Sequence, residues 1–155
     1  MKVSTSLSVQ YDNPFSPFPG KEWEKGLDWV RDSGFDAVEI ILSDPDLLDR
    51  NALERKLQQT GLPVSTISTG QAMGLEGLSL CSASRETRDR TLRRLDRDME
   101  LALLLGNPHV TVGLIRGRGG DLPEDMEWAL LLDSLSRLAD RADAKGITIN
   151  LEPIN

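Results

Sequence analysis

Residues 124–152 read EDMEWALLLDSLSRLADRADAKGITINLE and predict a helix, a stop and a strand in succession. Apolar residues recur at spacings of three and four, which indicates one apolar stripe on an amphipathic helix: Trp128, Leu131, Leu132, Leu135, Leu138, Ala139 and Ala142. Gly146 tolerates the left-handed conformation that commonly ends a helix. The β-branched run that follows it predicts a strand. So short a turn between helix and strand is typical of an α/β protein.

The same unit recurs along the chain. Runs rich in Val, Ile or Thr predict strands at residues 2–9, 35–42, 63–69, 109–115 and 147–152. Gly34, Gly61 and Gly106 mark earlier helix ends, and Ser84 and Pro123 are typical of helix starts. The earlier helical segments carry apolar stripes formed by Trp23, Leu27 and Val30, by Leu53 and Leu57 within residues 47–60, and by Leu92, Leu95, Met99, Ala102 and Leu103.

The resulting pattern is (βα)4β. Short helix-to-strand turns imply parallel strands joined by right-handed crossovers. Such strands form either an open doubly wound sheet or a closed eight-stranded barrel. A complete barrel takes about 250 residues, so the 155 residues of this chain by themselves favour the open sheet.

Composition excludes several classes of function. The 18 Lys and Arg against 25 Asp and Glu give a net charge of -7, which argues against an extended nucleic-acid surface. The apolar runs are far shorter than the about 20 residues that a membrane span needs. The amino terminus lacks the pattern of a secretory leader, and one cysteine, Cys81, fits a reducing compartment. We therefore expect a mature, cytoplasmic chain that forms one domain over residues 1–155.

The carboxyl ends of the predicted strands are the expected location of a site, because ligands of parallel sheets bind there. The connection after the first strand has no glycine-rich phosphate motif. Residues 69–84 and 113–120 form long, glycine-containing connections at this rim, and Arg116 and Arg118 lie in the second. A long connection of this kind is either a binding loop or a flexible surface loop.

Two glutamates and the only histidine require separate interpretations. Glu152 closes the fifth strand at the rim and is a candidate metal ligand or base. Glu39 lies inside the second strand, where it is either a site residue or a hydrogen-bonded structural residue. His109 begins the fourth strand at the opposite rim and is interpreted as structural, which leaves a Ser-His-Asp triad and a two-histidine metal site unsupported.

Four segments in order resemble the xylose isomerase-like TIM-barrel superfamily, specifically its sugar phosphate isomerase/epimerase branch. They are FDAVEI (35–40), TGQA followed by EGLSL (69–80), GLIRGR (113–118) and LEPIN (151–155). The second and third are most similar to 5-keto-L-gluconate epimerase and its relatives. The resemblance covers most of the chain and implies a metal-assisted proton transfer beside the carbonyl of a sugar.

The resemblance also implies roles for individual residues. Glu152 matches a glutamate that ligates a divalent metal, Mn, Mg or Co, and serves as one of two acid/base carboxylates. Glu39, Gln71, Arg116 and Arg118 fall at positions where such barrels bind a small-molecule sugar. The family's other metal ligands and its second catalytic glutamate come from the sixth to eighth strands, which would begin after Asn155.

We therefore expect a partial TIM barrel whose first and fifth strands are unpaired edges, and such edges favour a homo-oligomer. The expected function is that of a sugar isomerase or epimerase, weak or inactive in a chain that looks truncated. One alternative is a binding or assembly module that keeps the fold without the chemistry. A further alternative is the endonuclease branch of the same superfamily, which the acidic charge disfavours.

Overall fold

The computed structural model describes residues 1–153, and its centre is one parallel sheet. The five strands are β1 (Ser4–Ser8), β2 (Ala37–Ile41), β3 (Val64–Ser68), β4 (His109–Val112) and β5 (Ile149–Leu151). All five predicted strands are confirmed, each shorter than expected. The fourth does not reach Ile115, because the backbone leaves the extended region at Gly113 (φ -102°, ψ -108°) and forms a 3-10 turn over Leu114–Arg116.

The order of the strands distinguishes between the two expected architectures. Neighbours in the sheet follow the chain order, β1-β2-β3-β4-β5, and every pair is parallel. A doubly wound sheet reverses direction at a switch point, and this sheet does not. Successive right-handed crossovers in one direction place all the helices on one face, as in a barrel. The open doubly wound sheet that the chain length favours is therefore wrong.

Five helices connect the strands: α1 (Trp23–Asp32), α2 (Arg50–Thr60), α3 (Gly70–Glu76), α4 (Arg85–Leu104) and α5 (Glu124–Lys145). The Ser84 hydroxyl accepts from the Thr87 N–H and caps α4, as predicted. Two expectations need correction. The predicted long connection at residues 69–84 contains the short helix α3, and α2 begins at Arg50 rather than near Leu47, because the Asp49 carboxylate caps the Ala52 N–H at 2.9 Å.

The core lies between the sheet and the helices. Leu7, Ile40, Ile67 and Val110 are in register across four strands and are completely buried. The helices cover them with buried side chains that include Leu27, Val30, Leu53, Leu92, Leu95 and Met99. Full burial of a side chain of this size contributes about 1.5–3 kcal/mol. Apolar residues alternate with polar ones along the strands, and this alternation accounts for the buried layer between the sheet and the helices.

Four residues of the predicted apolar stripes lie outside the core: Leu103 on α4, and Trp128, Leu132 and Ala139 on α5. Trp128 and Leu132 on α5, and Leu103 on α4, are about half exposed. Leu131, Leu138 and Ala142 of α5 are buried as expected. No element of residues 1–153 fully covers Trp128 or Leu132.

The opposite face of the sheet is polar, and we call it the inner face. Because side chains alternate along a strand, Ser6, Glu39 and Thr66 share this face in register, and Thr111 and Asn150 pair on it as well. The sheet does not close within residues 1–153, where β1 and β5 are its two edges. Within the same residues, no helix is long and apolar enough to cross a membrane.

Candidate functional site

The carboxyl ends of the five strands form a rim that carries most of the expected site residues. Glu152 follows β5 directly, and its N–H donates to the Val112 carbonyl at 3.1 Å, which extends the β4–β5 pairing by one step. Its side chain is exposed. By strand alternation it lies on the inner face with Asn150, and its carboxylate is therefore open to a ligand at the rim. Ile154 and Asn155, the end of the last motif, lie outside the described residues.

Glu39 lies on the same inner face, deeper in the sheet. It is half-buried, and the Ser6 hydroxyl donates to its Oε1 at 3.2 Å. Burial raises the pKa of the Glu39 carboxyl, the Ser6 hydrogen bond opposes this, and the negative charge of Glu152 raises it further. The structure therefore couples Glu39 to Glu152 electrostatically. Glu39 thus remains open to both interpretations. Its hydrogen bond with Ser6 is consistent with a structural residue, and the effect of the Glu152 charge is consistent with a site residue.

Gln71 lies in the first turn of α3 and connects two loops. Its Nε2 donates to the carbonyl of Tyr11 at 3.2 Å and to that of Asp12 at 3.4 Å. Its Oε1 is buried and has no hydrogen-bond partner within residues 1–153. The amide nitrogen is thus used to hold the connection after β1, while the amide oxygen is left as an acceptor beside the rim.

Arg116 and Arg118 lie in the connection between β4 and α5, which we call the arginine loop (residues 116–122). Arg116 ends the 3-10 turn, and Arg118 is exposed. Both line a cavity of about 300 Å³ whose other walls include Cys81, Trp128 and Leu131. The guanidinium groups present donors in fixed geometry, which suits sugar hydroxyls or an anionic group.

The arginine loop is attached to the preceding connection along its backbone. The N–H groups of Leu80 and Cys81 donate to the carbonyls of Ile115 and Arg116 at 3.0 and 3.1 Å. At Gly117 (φ +101°) an added Cβ would lie 2.2 Å from Ser79 Oγ and 2.3 Å from Cys81 Sγ. Only glycine allows this close approach, which explains the sequence Arg-Gly-Arg at the rim.

His109 is at the opposite end of the sheet from Glu152, as predicted. Its Nδ1 lies 3.2 Å from Asn150 Oδ1, and the side chain is exposed. Within residues 1–153, no group of three or more His, Cys, Asp or Glu side chains is arranged to hold a metal ion. Glu152 is therefore the one expected metal ligand that this part of the chain supplies.

Sequence reasoning missed several residues that organise the rim. The Gln10 amide oxygen accepts from the N–H groups of Ser43 and Asp44 at 2.8 and 2.9 Å. Arg94 binds both carboxylate oxygens of Glu76, at 2.7 and 2.9 Å, and Asp44 Oδ2 at 2.9 Å. No periodicity signals these contacts, because they join residues 18 to 50 positions apart or match a side chain to a backbone.

The architecture and the rim have counterparts in known proteins. A sequence profile described as xylose isomerase-like TIM barrel matches residues 27–155. An L-ribulose 3-epimerase from Mesorhizobium japonicum is 31% identical over 137 residues, which are 86% of this chain and 44% of that protein. This chain therefore spans about half the length of the relatives it matches.

Solved structures agree with this assignment. The structure of an L-ribulose 3-epimerase is 28% identical, with a TM-score of 0.75 over 100% of this chain and 50% of the other. A 3-keto-D-glucoside 4-epimerase from E. coli is 24% identical, with a TM-score of 0.75 over 100% of this chain and 57% of the other, and it supports the fold alone. The expected partial barrel is confirmed: the chain belongs to the xylose isomerase-like TIM barrel family.

Proposed function

We propose that this chain is the amino-terminal part of a sugar epimerase or isomerase that moves a proton beside the carbonyl of a ketose. The observation that carries the proposal is Glu152, an exposed carboxylate at the carboxyl end of β5 on the inner face. Similarity to an L-ribulose 3-epimerase supports the substrate class. The proposal keeps the expected role of this glutamate as one acid/base group of the reaction.

Epimerisation beside a carbonyl needs a base on one side of the carbon and an acid on the other. Glu152 would remove or return the proton on one side. The second carboxylate is expected from later strands of the family and is not among residues 1–153. A chain of this extent would therefore bind the sugar and turn it over slowly or not at all.

The other expected residues would bind the sugar. Arg116 and Arg118 would donate to its hydroxyl groups, and the buried, unpartnered Oε1 of Gln71 would accept from one. Glu39 would bind a sugar hydroxyl from deeper on the inner face, where burial and then the negative charge of Glu152 raise the pKa of its carboxyl and favour the protonated, donating form. Each of these roles belongs to the proposal.

A divalent ion, Mn, Mg or Co, belongs to the proposed enzyme as a whole. When bound, it would supply a positive charge that stabilises the enediolate oxygens. Such ions prefer six oxygen or nitrogen ligands, and residues 1–153 offer Glu152 without a cluster around it. These residues therefore do not fit a complete metal site, and the roles above do not depend on one.

The proposal is tested by ketose binding to the purified chain. L-Ribulose and D-fructose are added with and without Mn²⁺, and contact is detected by saturation-transfer NMR. We expect binding that Glu152→Gln weakens several-fold, while Glu24→Gln, an exposed glutamate in the first turn of α1, leaves it unchanged. Deuterium uptake at the carbon beside the carbonyl measures residual turnover. Absence of binding to either ketose would refute the proposal.

A second candidate is a binding or assembly module, and one observation favours it. β1 and β5 are edges of the sheet within residues 1–153, and Trp128 and Leu132 on α5 are about half exposed. As a chain of 155 residues it would associate with a second copy through these edges. Light scattering at micromolar concentration tests this, and a monomer counts against it. A cytoplasmic location stays a prediction.

A further inference from the structure

Glu127, which none of the expected roles include, is bound to the arginine loop from the first turns of α5. Its Oε1 accepts from three consecutive N–H groups, those of Gly120, Asp121 and Leu122, at 2.7, 2.9 and 3.1 Å. Three backbone donors that converge on one carboxylate oxygen form an anion-binding nest. In this chain the nest is filled by the protein's own side chain.

The arginine loop packs closely around the Glu127 carboxylate. A Cβ at Gly119 would lie 2.4 Å from Glu127 Oε2, and Gly119 and Gly120 both have positive φ, +74° and +103°. The glycines thus let the loop wrap closely around the carboxylate. Hydrogen bonds to a charged group are worth roughly twice those between neutral groups. The contact with Glu127 is therefore a strong polar attachment of residues 120–122.

Together the two attachments hold the arginines from both directions. On one side the backbone of Ile115 and Arg116 pairs with that of Leu80 and Cys81. On the other side Glu127 holds residues 120–122 and lines the same cavity as Arg116 and Arg118. Arg116 lies at the first anchor, and the short segment 117–119 between the anchors contains Arg118.

We infer that Glu127 is a positioning residue, which fixes the arginine loop so that Arg116 and Arg118 are held at the rim for the sugar. This inference rests on the proposed function for its consequence in binding, and on the loop geometry alone for its structural part. Glu127 itself touches backbone and not the reacting atoms. Its effect on the sugar is exerted through the two arginines.

The first arm of the test needs no sugar. In Glu127→Ala, NMR exchange rates of the amides of Gly120, Asp121 and Leu122 are expected to rise about tenfold. The heteronuclear NOE of the Arg118 Nε–H group is expected to fall, because residues 120–122 no longer hold that end of the loop. Glu127→Gln keeps an acceptor oxygen and is expected to restore most of both values. The control Asp125→Ala removes an exposed charge from the same helix turn and is expected to change neither.

The second arm measures ketose binding. Glu127→Ala is expected to weaken ketose binding about fivefold to tenfold, and by less than that when it is added to Arg118→Ala, since part of its effect passes through Arg118. Unchanged amide exchange in Glu127→Ala would overturn the inference. Faster exchange with unaltered binding would overturn it as well. If the unmodified chain binds no ketose, the proposed function fails, and the exchange and NOE values still decide whether Glu127 positions the loop.

Discussion

The two faces of the sheet differ in chemistry although they are built from the same five strands. The helix-covered face presents Leu7, Ile40 and Ile67, which are completely buried. On the inner face the neighbouring positions are Ser6, Glu39 and Thr66, which are half-buried. One face therefore stabilises the fold by burial, while the other displays polar groups whose value lies in what they can bind.

Polar side chains also make different kinds of contact on the two sides of the sheet. Among the helices, Arg94 is 12% exposed and makes a bidentate ion pair with Glu76. On the inner face, Thr66 donates to the His109 carbonyl at 3.0 Å and lies 2.8 Å from the Thr111 hydroxyl. The helix layer thus contains a closed network, and the inner face contains short, separate hydrogen bonds. The helix-covered face therefore stabilises the fold, and the inner face carries the candidate site chemistry.

The largest expected effect comes from two adjacent residues of β3 that point to opposite faces. Ile67→Ala removes a completely buried side chain and is expected to lower the free energy of unfolding by about 3–4 kcal/mol. Thr66→Ala loses hydroxyl contacts on the inner face and is expected to cost about 1 kcal/mol. Urea denaturation followed by circular dichroism measures both. Equal losses would abolish the distinction between the faces.

A smaller effect is expected within the helix layer. Arg94→Met leaves Glu76 and Asp44 without their guanidinium partner, and we expect a loss of about 2 kcal/mol in the free energy of unfolding. Arg97→Met is the matched control one turn further along α4, because Arg97 is 53% exposed and its ion pairs are screened by water. The urea midpoint of Arg97→Met is therefore expected to stay close to that of the unmodified chain. A control that costs as much as Arg94→Met would contradict the closed network.

These contrasts also show what the sequence could predict. Runs rich in Val, Ile or Thr identified the strands whose side chains form the core. Gly34, Gly61, Gly106 and Gly146 all have positive φ where helices were expected to end. The position of Glu152 at the rim followed from its place at the end of a strand. These features depend on local pattern, and local pattern is what a single sequence displays.

The remaining features depend on contacts between distant residues or on short segments. The ion pair of Arg94 with Asp44 joins positions 50 apart, and α3 is only seven residues long with two glycines, too short for a clear periodicity. Trp128 has the correct spacing for the buried stripe of α5 and is 52% exposed. Periodicity shows that a helix has an apolar side, but it does not show which neighbours cover it.

Asp98 provides a third prediction, on the helix side of the comparison. It is 1% exposed, and its Oδ2 has no hydrogen-bond partner within residues 1–153. Burial raises its pKa well above the ordinary value, Arg94 on the same helix opposes this, and Asp44, Asp46 and Glu76 on facing segments raise it further.

The raised pKa means that the folded state binds the Asp98 proton more tightly than the unfolded chain, which releases it near pH 4. Because of this, Asp98 lowers stability progressively as the pH rises above about 4. Asp98→Asn removes this dependence, and we expect the variant to gain stability relative to the unmodified chain as the pH rises from 4 to 7. Parallel denaturation curves at the two pH values measure the gain. A constant difference would show that Asp98 is ionised in the folded state.

The pKa of Glu39 on the inner face is raised for the same main reason as that of Asp98, which is burial. The Glu39 side chain, however, is only half-buried. A raised pKa again means that stability is lost as the pH rises above the unfolded value, near 4.3. Water screens a half-buried carboxyl, so Glu39→Gln is expected to change this pH dependence by less than about 0.5 kcal/mol between pH 4 and pH 7. The negative charge of Glu152 contributes to the shift, and the pKa of Glu39, followed by carbon-13 NMR of its carboxyl group, is therefore expected to fall in Glu152→Gln. If the pKa of Glu39 does not fall, the two carboxylates act independently. The charge of Glu152 would then not influence Glu39, and the proposed role of Glu39 depends on that influence.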